Sequence, residues 1–163
     1  MTPPTQALAR SSVRPLSRST TDAASDHAVA AAHTPATSRI LVLDRGGERQ
    51  WLLVDAISRA GGEPAVAHTG AQALELLNAP PQDIPALLVG ELPDGSARGF
   101  VAWARPRFPD LAIVAVAAEA GEATDLYHAG ADIVTTPPLD ADLLGAKLAA
   151  ALRRARTLNE TVR

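Results

Sequence analysis

The chain of 163 residues contains no cysteine. Disulfides and thiolate-bound zinc are therefore excluded. Aromatic side chains make up only 3% of it, and both tryptophans, Trp51 and Trp103, fall in helical patterns that mark them as packing residues rather than ligand platforms. No apolar stretch approaches the ~20 residues that cross a bilayer, and the first residues lack the continuous apolar core of a secretory signal. A cytoplasmic protein without a membrane partner is the expectation. His68 and His128 have no neighbours at metal-ligand spacing, so no metal and no cofactor is assigned. No Ser-His-Asp arrangement can be read, and Gly46-Gly47 lacks the third glycine of a dinucleotide fingerprint. An enzyme is not expected.

Charge is unevenly spread about a net of −3. Residues 39–152 hold fifteen Asp or Glu against eight Arg or Lys, while Arg10, Arg14 and Arg18 mark the start and Arg153, Arg154, Arg156 and Arg163 the end. An acidic middle lacks the basic face that nucleic acid requires, so no nucleic-acid partner is expected. Residues 1–38 are rich in Ser, Thr, Ala and Pro and poor in large apolar groups. They cannot bury enough surface to offset the entropy of ordering and read as a disordered leader. A folded domain is expected over residues 39–153, followed by a short basic tail over 154–163.

The folded part has a clear rhythm. Five short apolar runs, at residues 40–43, 64–67, 86–89, 112–116 and 133–135, alternate with helical patterns. The helices are expected near 48–60, 71–78, 97–108, 122–129 and from 141 to about 156, with Pro106 breaking the third. Thr69 or Gly70 and, for the last helix, Asp140 are N-cap candidates, and Gly61-Gly62, Pro80-Pro81 and Gly130 are stops. Such alternation predicts an α/β fold, a (βα)5 doubly wound parallel five-stranded sheet with helices on both faces. Ligands bind such sheets beyond the carboxyl ends of the strands. The residues there are Asp44-Arg45, His68-Thr69, Gly90-Glu91, Ala117-Ala118 and Thr136-Pro137. Only Asp44 and Glu91 among them are acids.

The same features resemble the receiver domain of two-component response regulators, which is CheY-like and flavodoxin-like in fold. Ile40-Leu41-Val42-Leu43-Asp44 resembles the first-strand signature that ends in an acidic pair, and Ala67 to Leu74 resembles the segment entering the second helix. Leu92-Pro93-Asp94-Gly95 resembles the loop after the third strand, Ala129-Gly130-Ala131-Asp132 the turn before the fifth, and Thr136-Pro137-Pro138 the Lys-Pro-aromatic segment. The resemblance covers about residues 39–153.

The departures point to a degenerate member, a pseudo-receiver. Family spacing back from Pro93 puts Val89, with Gly90 next, where the phosphoacceptor aspartate belongs. The acidic pair that would hold Mg²⁺ has become Asp44-Arg45. Ala117 stands for the switch hydroxyl, Thr136 for the conserved lysine and Ile133 for the aromatic switch residue. Mg²⁺ takes hard oxygen ligands in tight octahedral geometry, and an arginine brings a fixed positive charge instead. Asp44 is then either a remnant metal ligand or a cap and ion-pair partner of Arg45 or Arg49. Arg45 either fills the vacated pocket or points to solvent. The resemblance also implies a cis bond at Thr136-Pro137.

The expected function is an atypical, phosphorylation-independent response regulator receiver protein acting in bacterial signal transduction by protein–protein interaction. Its partner would be a signalling kinase, a regulator or a second copy. The family's output face, formed by the fourth helix, fifth strand and fifth helix, would here offer Leu126, Tyr127, Ile133, Leu139, Leu143 and Ala146 beside Lys147. The alternative is a small anionic-ligand sensor that uses the former acidic pocket, lined by Asp44, Arg45 and Thr136.

Overall fold

The computed structural model describes residues 37–161 apart from Gln82, Asp94 and Gly95. The expected leader, but for its last two residues, lies outside the described residues. Ten elements alternate strictly: β1 Arg39–Leu43, α1 Glu48–Arg59, β2 Glu63–Ala67, α2 Gly70–Asn78, β3 Ala86–Val89, α3 Ala97–Arg107, β4 Ala112–Val116, α4 Ala120–Ala129, β5 Ile133–Thr135 and α5 Ala141–Thr161. The strands form one parallel sheet in the order β2-β1-β3-β4-β5. The chain steps outward from β1 to β2 and then back past β1 to β3. The carboxyl ends of β1 and β3 therefore flank the point where winding reverses, the place where such sheets open a crevice.

Each strand residue faces one of two cores, because side chains alternate across a sheet. Leu41, Leu43, Leu87, Val89, Ile113 and Ala115 face one side, under Ala73, Leu77, Val101 and Leu126 of α2, α3 and α4. Ile40, Val42, Leu88, Val114 and Val116 face the other, under Leu53, Ile57, Leu144 and Leu148 of α1 and α5. Both faces are covered, so the central strands read as continuous apolar runs rather than alternating ones.

Local chemistry fixes the helix ends. Thr69 accepts a hydrogen bond from Gln72 N, and Asp140 Oδ1 accepts from Leu143 N at 2.8 Å. Gly130 ends α4 in the left-handed region at φ 118°, where a side chain would be strained. α4 begins two residues earlier than its sequence pattern suggests. The Glu122 carboxylate in the first turn reaches back past the N-cap Glu119 and accepts from Ala118 N at 2.7 Å, which fixes the entry of the chain into the helix.

Three expectations need correction. Residues 154–161 are not a tail: α5 continues through them to Thr161, since no Gly or Pro follows Gly145 to stop it. Pro106 does not break α3, because it lies in the last turn and the helix ends one residue later. Trp51 is not a packing residue; it is 77% exposed, and Leu53, Ala56 and Ile57 bury α1 instead. Among the described residues, no helix is long and apolar enough to cross a membrane.

Candidate functional site

Beyond Leu43 the chain keeps strand-like pairing for two more residues. Asp44 N donates to Ala67 O, Gly90 N donates to Leu43 O at 2.8 Å, and Arg45 N donates to Glu91 O at 2.7 Å. These bonds hold the segments after β1 and β3 side by side. They also carry Asp44 inside, where it is 0% exposed, the one buried charged side chain among the described residues.

A buried carboxylate costs several kcal/mol unless its lone pairs and charge are met. Here both oxygens are engaged. Oδ1 accepts from Gly46 N and Oδ2 from Glu91 N, each at 2.9 Å. The countercharge comes from the first turn of α1, where Arg49 Nε lies 3.3 Å from Oδ2. That Nε–H is buried and not aligned for a hydrogen bond, so the attraction is chiefly electrostatic. The other end of the same guanidinium donates to Glu91 Oε2, and Arg45 Nη1 meets Glu91 Oε1 at 3.1 Å. The hydrogen bond from Arg49, aided by the charges of Arg45 and Arg49, holds the Glu91 carboxyl below its ordinary value. Arg49, Glu91 and Glu122 line a small cavity of about 110 Å³ beside Gly90 and Val116. A larger groove of about 440 Å³, lined by Leu77, Ile84, Phe108 and Arg156, lies at the opposite end of the sheet and holds none of these groups.

No family model and no curated protein matches the sequence. Solved structures do match. A response regulator receiver domain protein (CheY-like) from Methanospirillum hungatei is 21% identical with a TM-score of 0.63, over 75% of this chain and 98% of that one. A response regulator receiver domain protein from Clostridium thermocellum is 16% identical with a TM-score of 0.63, over 77% and 99%. NtrX from Brucella abortus is 21% identical with a TM-score of 0.67, over 77% of this chain and 29% of that one. The chain has the receiver fold. At such identities the likeness is one of architecture, and the chemistry must be read from this chain's own residues.

Within the receiver fold, the residues named from sequence do not form one cluster. Asp44 and Arg45 stand at the carboxyl end of β1, but Arg45 turns outward to Glu91 with its side chain 54% exposed. It does not enter the space beside Asp44; Arg49 does. Val89 pairs with Leu43 and Ala115 and belongs to the α2–α4 core, whereas Asp44 lies against the adjacent position, Gly90. Ala117 is buried and extends β4 by donating its N–H to Thr135 O at 2.8 Å. Thr136 and Pro137 are exposed. The cis bond is not at Thr136-Pro137; it precedes Pro138, and a second precedes Pro81. Both prolines after Thr136 form tertiary amides with a weak trans preference, so sequence alone does not choose between them.

The receiver's α4–β5–α5 face is smaller than the sequence suggests. Leu126 is fully buried, and Ile133 and Leu139 are half-buried against the core. α4 and α5 must cover the sheet, and their apolar periodicity serves that first. Tyr127 and Leu143 remain half or more exposed, at 50% and 57%. The Tyr127 hydroxyl accepts from Val134 N at 3.1 Å, and Lys147 Nζ lies 3.4 Å from Thr135 Oγ1. In the sequence Arg49 is one of two arginines that could pair with Asp44, and nothing marks Glu122. The available signal was position: Arg49 stands in the first helical turn after a Gly-Gly reversal, which returns it toward the strand end.

Proposed function

We propose that this chain is a receiver-fold signalling module that works by protein–protein contact and without aspartyl phosphorylation. One observation carries this reading: both oxygens of Asp44 are bound by backbone amides, and a guanidinium stands beside them. Phosphoryl transfer on this fold would need a metal to neutralise developing charge and a carboxylate to accept the group. The donors present do not fit Mg²⁺. Asp44 and Glu91 are both committed to arginine, and a cation would have to displace Arg49 and oppose Arg45. Val89 offers no acceptor oxygen, and Glu91 is held in ion pairs.

Signalling then rests on surfaces. Tyr127 and Leu143 are exposed apolar groups that the α4–β5–α5 face offers to a protein partner. Incubation with a small phosphodonor and Mg²⁺, followed by intact mass measurement, tests the reading. An unchanged mass is expected, and a stable added phosphoryl group overturns it. An anionic ligand in the small cavity is less well supported, because Glu91 and Glu122 line it along with Arg49.

A further inference from the structure

We propose that Arg49 is a resident cation: its guanidinium takes the charge-balancing place of a metal beside Asp44 and so fixes the loops after β1 and β3 in one arrangement. Asp44 is wholly buried, so it needs a countercharge close by. Arg45 is nearest in sequence but faces Glu91. Among the described residues, Arg49 is the one cation within 4 Å of the Asp44 carboxylate. Its planar fork spans two acids at once, with Nε toward Asp44 and a terminal nitrogen on Glu91. A lysine, as a point charge, has no such geometry.

Within the ion-paired group the charges balance. Asp44 and Glu91 balance Arg45 and Arg49, and a divalent ion would leave the cluster doubly positive. The backbone is tied to the same atoms. Gly46 N and Glu91 N, one in each loop, donate to the two oxygens of Asp44. Whatever holds the carboxylate therefore holds both loops. Gly90 permits this, since a Cβ there would stand 2.0 Å from Asp44 Oδ2. In this arrangement the carboxyl end of the sheet needs no metal to hold its shape.

The inference shares with the proposed function the exclusion of a divalent ion, and it is tested separately. Melting temperature and amide hydrogen exchange are measured on the full chain with and without millimolar MgCl₂. The wild type is expected to show no response to Mg²⁺. Arg49→Met, which keeps an apolar stem and removes the charge, is expected to melt about 5–10 °C lower and to exchange the Gly46 and Glu91 amides at least about tenfold faster. Mg²⁺ should reverse both effects in this variant, because the ion binds through one or two carboxylates with waters completing its shell. Adding Asp44→Asn to Arg49→Met should abolish the Mg²⁺ response without restoring full stability, because the Asn NH₂ would face one of the two backbone N–H groups that Asp44 accepts from. Arg49→Lys, which keeps a charge beside Asp44, provides a folded comparison if Arg49→Met does not fold. Wild-type stabilisation by Mg²⁺, an Arg49→Met variant that behaves as wild type, or one that Mg²⁺ leaves unchanged overturns the inference. Phosphoryl uptake by the wild type would end the proposed function, whereas the melting and amide exchange of Arg49→Met without Mg²⁺ report the pairing of Arg49 with Asp44 alone.

Discussion

The Asp44 carboxylate occupies the space that a side chain on residue 90 would need: a Cβ built on Gly90 would lie 2.0 Å from Asp44 Oδ2 and 2.9 Å from its Cγ. Asp44 cannot swing away, since its two oxygens hold the Gly46 and Glu91 amides. Gly90→Ala should therefore destabilise the fold by about 2–3 kcal/mol, as overpacking at a fixed site does. Urea unfolding measures this. In an Asp44→Ala background the same change should cost far less, because the two residues share one space.

Restoring a carboxylate where family spacing puts the acceptor should not restore phosphorylation. Val89 is fully buried against Leu43 and Ala115. Val89→Asp would place an acid in that apolar face with no donor supplied, at a cost of about 3 kcal/mol or more. Denaturant midpoints should fall, and intact mass should show no phosphoryl group after incubation with a phosphodonor.

Stability should respond to acid through Glu91. Its folded-state pKa lies below its ordinary value of 4.5, chiefly because of the hydrogen bond from Arg49. The unfolded chain therefore takes up this proton first as pH falls. The contribution is fully present above pH 4.5 and is lost as pH drops through the lower, folded value. Glu91→Gln should flatten that part of the stability–pH curve and leave the neutral region with a small, constant loss. Chemical unfolding midpoints at a series of pH values check this.

One substitution type should act with opposite signs at two helical glycines. Gly121 stands in the first turn of α4 with nothing within 4 Å of an added Cβ, so Gly121→Ala should stabilise by about 0.5 kcal/mol. At Gly145, where α5 crosses α1, an added Cβ meets Ala56 O at 2.9 Å and Arg59 Cβ at 3.1 Å. Gly145→Ala must push two helices apart and should cost about 1–3 kcal/mol. Thermal melting of the two variants compares them directly.

The fold was legible because its signals are local. Runs such as residues 86–89 and 112–116 are uniformly apolar since both sheet faces are covered, and they end where strands end. Thr69, Gly130 and Asp140 act within a few residues of themselves, so their capping roles follow from type and position. Trp51 patterns as a packing residue but is exposed, and Leu126, a partner-face candidate whose periodicity equally allows it to face the core, lies in the core. An apolar residue on an amphipathic helix carries no mark of which side of the stripe it occupies.

The site was legible only in its inventory. Residue order establishes that Asp44 is followed by an arginine, that Val89 carries no acid, and that five parallel strands bring their ends together. Tertiary structure alone decided that Arg49 rather than Arg45 meets the buried carboxylate, that Glu91 ties the two arginines together, and that Gly90 leaves room for Asp44. The physical reason is reach: a guanidinium pairs with whichever acid the surrounding backbone brings within a few ångströms, and that distance is set by the packing of α1 against the sheet, not by order along the chain.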